Sequence, residues 1–124
     1  MIAADTSTWI AFLEGASGDD VAQLDRALAD RRVWMVPAVL TELLSDPKLA
    51  SGVAETLSEI PLLEIETGYW QRAGELRAKV LTKRRKVRLG DALIAQSCID
   101  ARIPLLTRDR DFEAFAEAAG LDLK

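Results

Sequence analysis

Histidine is absent from this chain of 124 residues, and cysteine occurs once, at Cys98. The first absence excludes Ser–His and Cys–His nucleophile pairs, histidine general bases and histidine-ligated metals. The second excludes an internal disulfide and a cysteine-rich zinc site. There is no glycine-rich phosphate loop of the G-x-G-x-x-G or G-x-x-x-x-G-K kind. The longest apolar run, Val33 to Leu40, contains Pro37 and is far short of a membrane span. The opening residues, Met1-Ile2-Ala3-Ala4-Asp5, show no basic segment followed by an apolar stretch. No signal peptide is read, and a cytoplasmic protein without membrane contact is expected. Any chemistry must run on carboxylates, Lys and Arg, hydroxyls or a bound cofactor.

What is present supports a folded domain. The hydrophobic fraction is 49%, enough for a core, and the length fits a single domain over residues 1–124. The formal net charge is −4, unevenly spread. Residues 72–88 carry Arg72, Arg77, Lys79, Lys83, Arg84, Arg85, Lys86 and Arg88 against Glu75 alone. An acidic protein with one basic segment does not read as a general DNA coater. It reads as a local anion-facing strip beside something acidic.

Short apolar runs alternate with longer helical patterns, the signature of an α/β fold with a parallel sheet covered by helices. Strands are expected at Ile2-Ala3-Ala4, Val33 to Val36, Leu62 to Ile65, Ile103 to Thr107 and Leu121 to Leu123. Thr6 or Ser7 can cap the first helix, Asp19 or Asp20 can start the second, and Pro37 suits the first turn of the third. A helix is expected over about 49–59 and the longest over about Thr67 to Arg85. Asp91 opens a nearly all-apolar helix, and Phe112, Phe115, Ala116 and Ala119 mark the last helical face.

Most of the 20 acidic residues fall on polar helix faces. Asp5, Asp109 and Asp111 instead follow apolar strands, Glu42 interrupts the apolar run Val39 to Leu44, and Asp91 begins the most apolar helix. In open parallel sheets, ligands bind beyond the carboxyl ends of the strands, so these acids can meet in one cleft. Alone they would repel one another and resist ionisation. A hard dication, Mg²⁺ or Mn²⁺, relieves that conflict and needs neither His nor Cys. Each acid also has a structural reading. Asp5 and Asp91 can be plain helix caps, Asp109 and Asp111 turn residues, and Glu42 the partner of an arginine.

Four segments together carry a family resemblance. They are Ile2-Ala3-Ala4-Asp5-Thr6-Ser7, Val36-Pro37-Ala38-Val39-Leu40-Thr41-Glu42-Leu43, Leu89-Gly90-Asp91-Ala92-Leu93-Ile94-Ala95 and Leu105-Leu106-Thr107-Arg108-Asp109-Arg110-Asp111-Phe112. In this order and spacing, over essentially the whole chain, the sequence resembles PIN-domain ribonucleases of the VapC toxin type. The resemblance implies a three-layer α/β/α sandwich around a central parallel sheet of about five strands. It implies a metal-dependent endoribonuclease leaving 5′-phosphate and 3′-hydroxyl ends, with tRNA or rRNA as substrate. Asp5, Glu42, Asp91 and Asp109 are the implied acidic quartet, and Asp111 a fifth metal-holding acid. It further implies a homodimer inhibited by a cognate VapB-like antitoxin, with DNA contacted only through the antitoxin.

Around the acids, Thr6, Ser7 and Thr107 can hydrogen-bond the carboxylates, or simply cap and turn. Lys83, Arg84, Arg85, Lys86 and Arg88 can hold an RNA backbone, or form a solvated helix end. Trp9, Trp34 and Trp70 can stack on bases, with Trp9 and Trp34 better placed for the core; Cys98 reads as packing. Two rivals are weighed. A haloacid-dehalogenase-type phosphoryl-transfer enzyme wants a second Asp two residues after the first, where Ser7 stands. A non-catalytic interaction module of the same fold would use the apolar helices to bind a partner.

Overall fold

The computed structural model describes residues 1–124. Ala3 and Ala4 form β1, which pairs in parallel with β2, Leu105–Leu106, in the register Ala3 to Leu105 and Ala4 to Leu106. All four residues are 0% exposed. Successive strand side chains point to opposite faces, so both faces of this ladder are covered, as a layered α/β arrangement requires. Three isolated parallel bridges continue the pairing outward: Ile2 with Val33, Met35 with Leu62, and Leu105 with Leu123. In place of about five full strands the chain forms one two-residue ladder and these single bridges. Prolines limit the rest. Pro61 and Pro104 have no N–H to donate, and Pro37 turns the chain into a helix immediately after Val36.

Seven helices surround the ladder: α1 (Thr6–Leu13), α2 (Asp19–Ala29), α3 (Pro37–Leu44), α4 (Ser51–Glu59), α5 (Tyr69–Leu81), α6 (Leu89–Ala101) and α7 (Glu113–Ala119). A 3₁₀ turn, Arg110–Phe112, leads into α7. α5 packs on α6 and α7, α1 packs on α2 and α3, and α3 also meets α4 and α6. The core runs through all of them, with Trp9, Phe112, Phe115, Leu105 and Leu106 among its fully buried side chains. Each such leucine contributes about 2 kcal/mol by leaving water. No helix is long and apolar enough to cross a membrane.

Three boundaries differ from the sequence expectation, and all three bear on the site. Asp5, not Thr6 or Ser7, caps α1, accepting the Thr8 amide at 3.0 Å. α6 begins at Leu89, so Asp91 lies inside its first turn and caps nothing. α5 runs from Tyr69 to Leu81 rather than to Arg85. At its start Gly68 has φ +83°, which no helix interior accepts. At its end the Thr82 hydroxyl takes the Lys79 carbonyl at 2.7 Å, and Arg77 donates to the Val87 carbonyl at 3.0 Å, drawing the basic loop back onto the helix.

Candidate metal centre

The site sits where β1 and β2 end. Asp5 follows β1 directly and is 3% exposed. Its Oδ1 accepts the Thr8 amide and the Ser7 hydroxyl, at 3.0 and 2.8 Å. Its Oδ2 accepts the Thr107 hydroxyl at 2.6 Å and Ser7 again at 2.9 Å. Burial raises the Asp5 pKa and repulsion from Asp109 adds to it, while the three donors oppose the rise. Capping and site membership are therefore not alternatives for this residue. Asp5 caps α1 and accepts two further donors as well, because a carboxylate has lone pairs for more than one partner.

Thr107, just past β2, carries the link onward: the Asp109 amide donates to its hydroxyl at 2.9 Å. Asp109 in turn caps the 3₁₀ turn by accepting the Asp111 amide at 2.9 Å. That turn brings Asp111 round beside Asp109. Carboxylate oxygens of Asp91, Asp109 and Asp111 lie within 4.8 Å of one another. Asp91 is half-buried, and burial first, then repulsion from Asp109, pushes its pKa up to about 6. Glu42 and Asp111 push the same way, against the pull of Arg88.

Glu42 stands at the edge of the group rather than in it. Although its sequence neighbours are apolar, α3 buries Val39 and Leu43 and leaves Glu42 exposed. No arginine pairs with it. Thr6 donates to it at 2.7 Å, and its carboxylate rests against Gly90, where an added Cβ would lie 3.7 Å from Oε2. So Thr6 ties α1 to α3, and Glu42 flanks the first turn of α6 beside Asp91.

The basic residues divide. Arg84, Lys86 and Arg88 share a cleft of about 210 Å³ with Asp91 and Asp111. Lys83 lines the adjoining cleft between α5 and α7, and Arg85 lines neither. All five are exposed and follow the end of α5; Lys83, Arg84, Arg85 and Lys86 lie in the connection, and Arg88 is the N-cap residue of α6. Trp9 is buried and Trp34 half-buried, while Trp70 is 63% exposed.

The donor set fits a hard cation. Every candidate ligand atom is a carboxylate oxygen, and burial followed by repulsion from Asp109 makes the Asp91 charge costly in the absence of a cation. The one thiol, Cys98, is buried and pushed up to about 12, so it offers no soft ligand.

Sequence reasoning missed two residues here. Arg108 makes a two-bond ion pair with Asp20, Nε to Oδ2 at 2.9 Å and Nη2 to Oδ1 at 2.7 Å. Chiefly through the Arg108 hydrogen bonds, Asp20 falls to about 2. The only trace in the sequence is a cation flanked by Thr107 and Asp109; its partner lies 88 positions away.

The PIN domain family profile matches residues 2–118. Ribonuclease VapC5 of Mycobacterium tuberculosis is 28% identical over 125 residues, covering 96% of this chain and 90% of that protein. The crystal structure of VapBC-5 from the same organism superposes with a TM-score of 0.67 and 25% identity, covering 98% of this chain and 94% of the other. VapBC2 from Rickettsia felis, crystallised with a DNA fragment from its promoter, gives a TM-score of 0.74 and 23% identity over 100% of this chain and 98% of the other.

Proposed function

The chain belongs to the PIN domain family, and from that premise we propose that it is a metal-dependent endoribonuclease of the VapC type, a single domain over residues 1–124 acting in the cytoplasm as the toxin of a toxin–antitoxin pair. The observation that carries this reading is the gathering of Asp91, Asp109 and Asp111 within 4.8 Å at the strand ends, with Asp5 bound to the same loop through Thr107. Its relative VapC5 is named a ribonuclease, and similar chains are crystallised in VapBC complexes.

Asp5, Asp91, Asp109 and Asp111 are the residues to hold Mg²⁺ or Mn²⁺, with Glu42 completing the acidic set. The ion, when bound, supplies acidification of water and charge compensation at a phosphate. The chain's own residues do the rest. Ser7 and Thr107 fix the orientation of the Asp5 carboxylate. Thr6 aims Glu42, whose exposed carboxylate is placed to accept a proton. Arg84, Lys86 and Arg88 hold the substrate backbone in the cleft beside Asp91, with Lys83 and Arg85 attracting it on approach. Products with 5′-phosphate and 3′-hydroxyl ends follow from attack by water rather than by the ribose 2′-hydroxyl.

For the partners, an apolar cleft of about 450 Å³ between α1, α2 and α4, lined by Trp9, Phe12, Leu13, Leu28, Val53 and Leu57, suits an amphipathic segment of a VapB-like antitoxin. DNA is then contacted through the antitoxin. Exposed Leu44 and Leu89 near Glu42 and Asp91 suit a homodimer.

The test is cleavage-site mapping on total RNA. Micromolar protein with Mg²⁺ or Mn²⁺ yields discrete tRNA or rRNA fragments bearing 5′-phosphates, and EDTA abolishes them. RNA left intact with both ions supplied refutes the enzyme and favours a non-catalytic interaction module.

A further inference from the structure

Asp20 and Arg108 lie outside the acidic set, yet every donor to the Asp5 carboxylate stands within one residue of a point they hold. Asp20 Oδ2 accepts the Thr8 hydroxyl at 2.8 Å, and the Thr8 amide is a donor to Asp5. The same Oδ2, with Oδ1, accepts the Arg108 guanidinium. The Arg108 amide donates to the Ser7 hydroxyl at 3.3 Å, and Ser7 donates to Asp5. Arg108 stands between Thr107, which donates to Asp5, and Asp109. Its Nη2 also reaches the Ser17 carbonyl at 3.1 Å.

Gly18 adds an independent sign that the chain is shaped around this pair. Its φ is +149°, and a Cβ there would come 2.6 Å from Arg108 Nη2 and 2.7 Å from Asp20 Oδ1. The turn before α2 thus makes room for an ion pair whose side chains are only 14% and 39% exposed. A planar, two-bond pair held at a fixed separation needs that room even with Arg108 at the surface.

We propose that Asp20 and Arg108 are positioning residues that latch the first turn of α1 to the loop after β2, setting the separation between Asp5 and Asp109 at which a divalent cation is held. The inference rests on the metal-site reading above. One carboxylate group comes from each side of the latch; beyond the β1–β2 pairing, which ends with the Asp5 amide donating to the Leu106 carbonyl at 3.0 Å, the side-chain ties between the two segments run through Thr107, Ser7 and this pair. Losing a group bonded directly to a metal ligand costs about 10- to 100-fold in metal affinity; Asp20 and Arg108 act one bond further out, through Thr8 and the Arg108 amide on Ser7, so the lower end of that range applies.

The experiment combines calorimetric titration with MnCl₂ and amide hydrogen exchange on the full chain. Asp20→Asn and Gly18→Ala are each expected to weaken Mn²⁺ binding about 10-fold. Both should speed exchange at the Thr8, Arg108 and Asp109 amides while leaving the Leu105 amide protected. Arg108→Lys, which keeps the charge and loses the fork, falls between. Arg32→Gln, which breaks the surface pair with Asp30, changes nothing. Where RNA is cleaved, raising Mn²⁺ restores the Asp20→Asn rate without altering KM. Mn²⁺ binding within twofold of the wild type in both variants, with unchanged local exchange, overturns the latch. So does exchange that rises uniformly through the core, which marks a merely structural pair. A wild-type protein that takes up Mn²⁺ but leaves RNA intact sinks the ribonuclease and not the latch. If the wild type takes up no Mn²⁺, the metal reading falls, and unchanged exchange at the three amides overturns the latch by itself.

Discussion

Replacing Asp91 with Asn should stabilise the metal-free protein while abolishing its cleavage of RNA. The carboxylate is pushed from 3.8 up to about 6, first by burial and then by Asp109. Taken at full strength that displacement is worth about 3 kcal/mol against the ionised fold. Partial exposure halves it to about 1.5 kcal/mol. A negative charge in the first turn of α6 is favourable by about 0.5 kcal/mol, and the substitution forfeits it. A net gain of about 1 kcal/mol remains, read by urea unfolding in EDTA at pH 7.5 and low salt. The sign with pH follows. A folded-state pKa raised above the unfolded value gives stability that is fully present below 3.8 and lost as pH rises through about 6. Wild type should therefore gain on the variant as the solution is acidified from 7.5 to 5. Adding Mn²⁺ should reverse the order at neutral pH, because only the wild type gains the binding energy of the ion. An Asn variant less stable than wild type in EDTA, or equal Mn²⁺ stabilisation of both proteins, would refute the account of a strained acid kept for a cation.

Asp5→Ala should also abolish cleavage but shift stability the other way. It removes the α1 cap and strands the Ser7 and Thr107 hydroxyls, a loss of about 2 kcal/mol by urea unfolding; a neutral result would show that Asp5 does not organise the strand ends. Mn²⁺ affinity measured by calorimetry should fall as pH drops below about 6, where Asp91 takes up a proton, and Arg88→Gln should move that limb upward by removing the one cation that opposes the rise. Affinity flat from pH 7.5 to 5 would exclude Asp91 from the ligand set. Cys98, buried with its thiol pushed up to about 12, should resist a thiol reagent in the native state and react only as fast as the chain unfolds; rapid native labelling would contradict its placement.

The acidic residues were legible in the sequence because of their setting, an acid directly after an apolar strand or at the start of an apolar helix. Asp5 and Asp109 follow β1 and β2, and Asp91 lies in the first turn of α6. Apolar neighbours in sequence do not fix which way a helix turns its side chains, and α3 faces Glu42 outward. The basic stretch after Leu81 lies outside α5, where the Thr82 hydroxyl donates to the Lys79 carbonyl and Arg77 donates to the Val87 carbonyl.

Local chemistry, then, set the element types, the capping acids and the absence of any histidine or thiol route, since those follow from residue identity and spacing of a few positions. Distance across the chain was decided only by folding. Parallel pairing of residues 3–4 with 105–106 is what carries Thr107 to within 2.6 Å of Asp5, and the same crossing brings Arg108 onto Asp20. Parallel partners are separated by a whole crossover, so no short-range pattern can encode which side chains end up face to face.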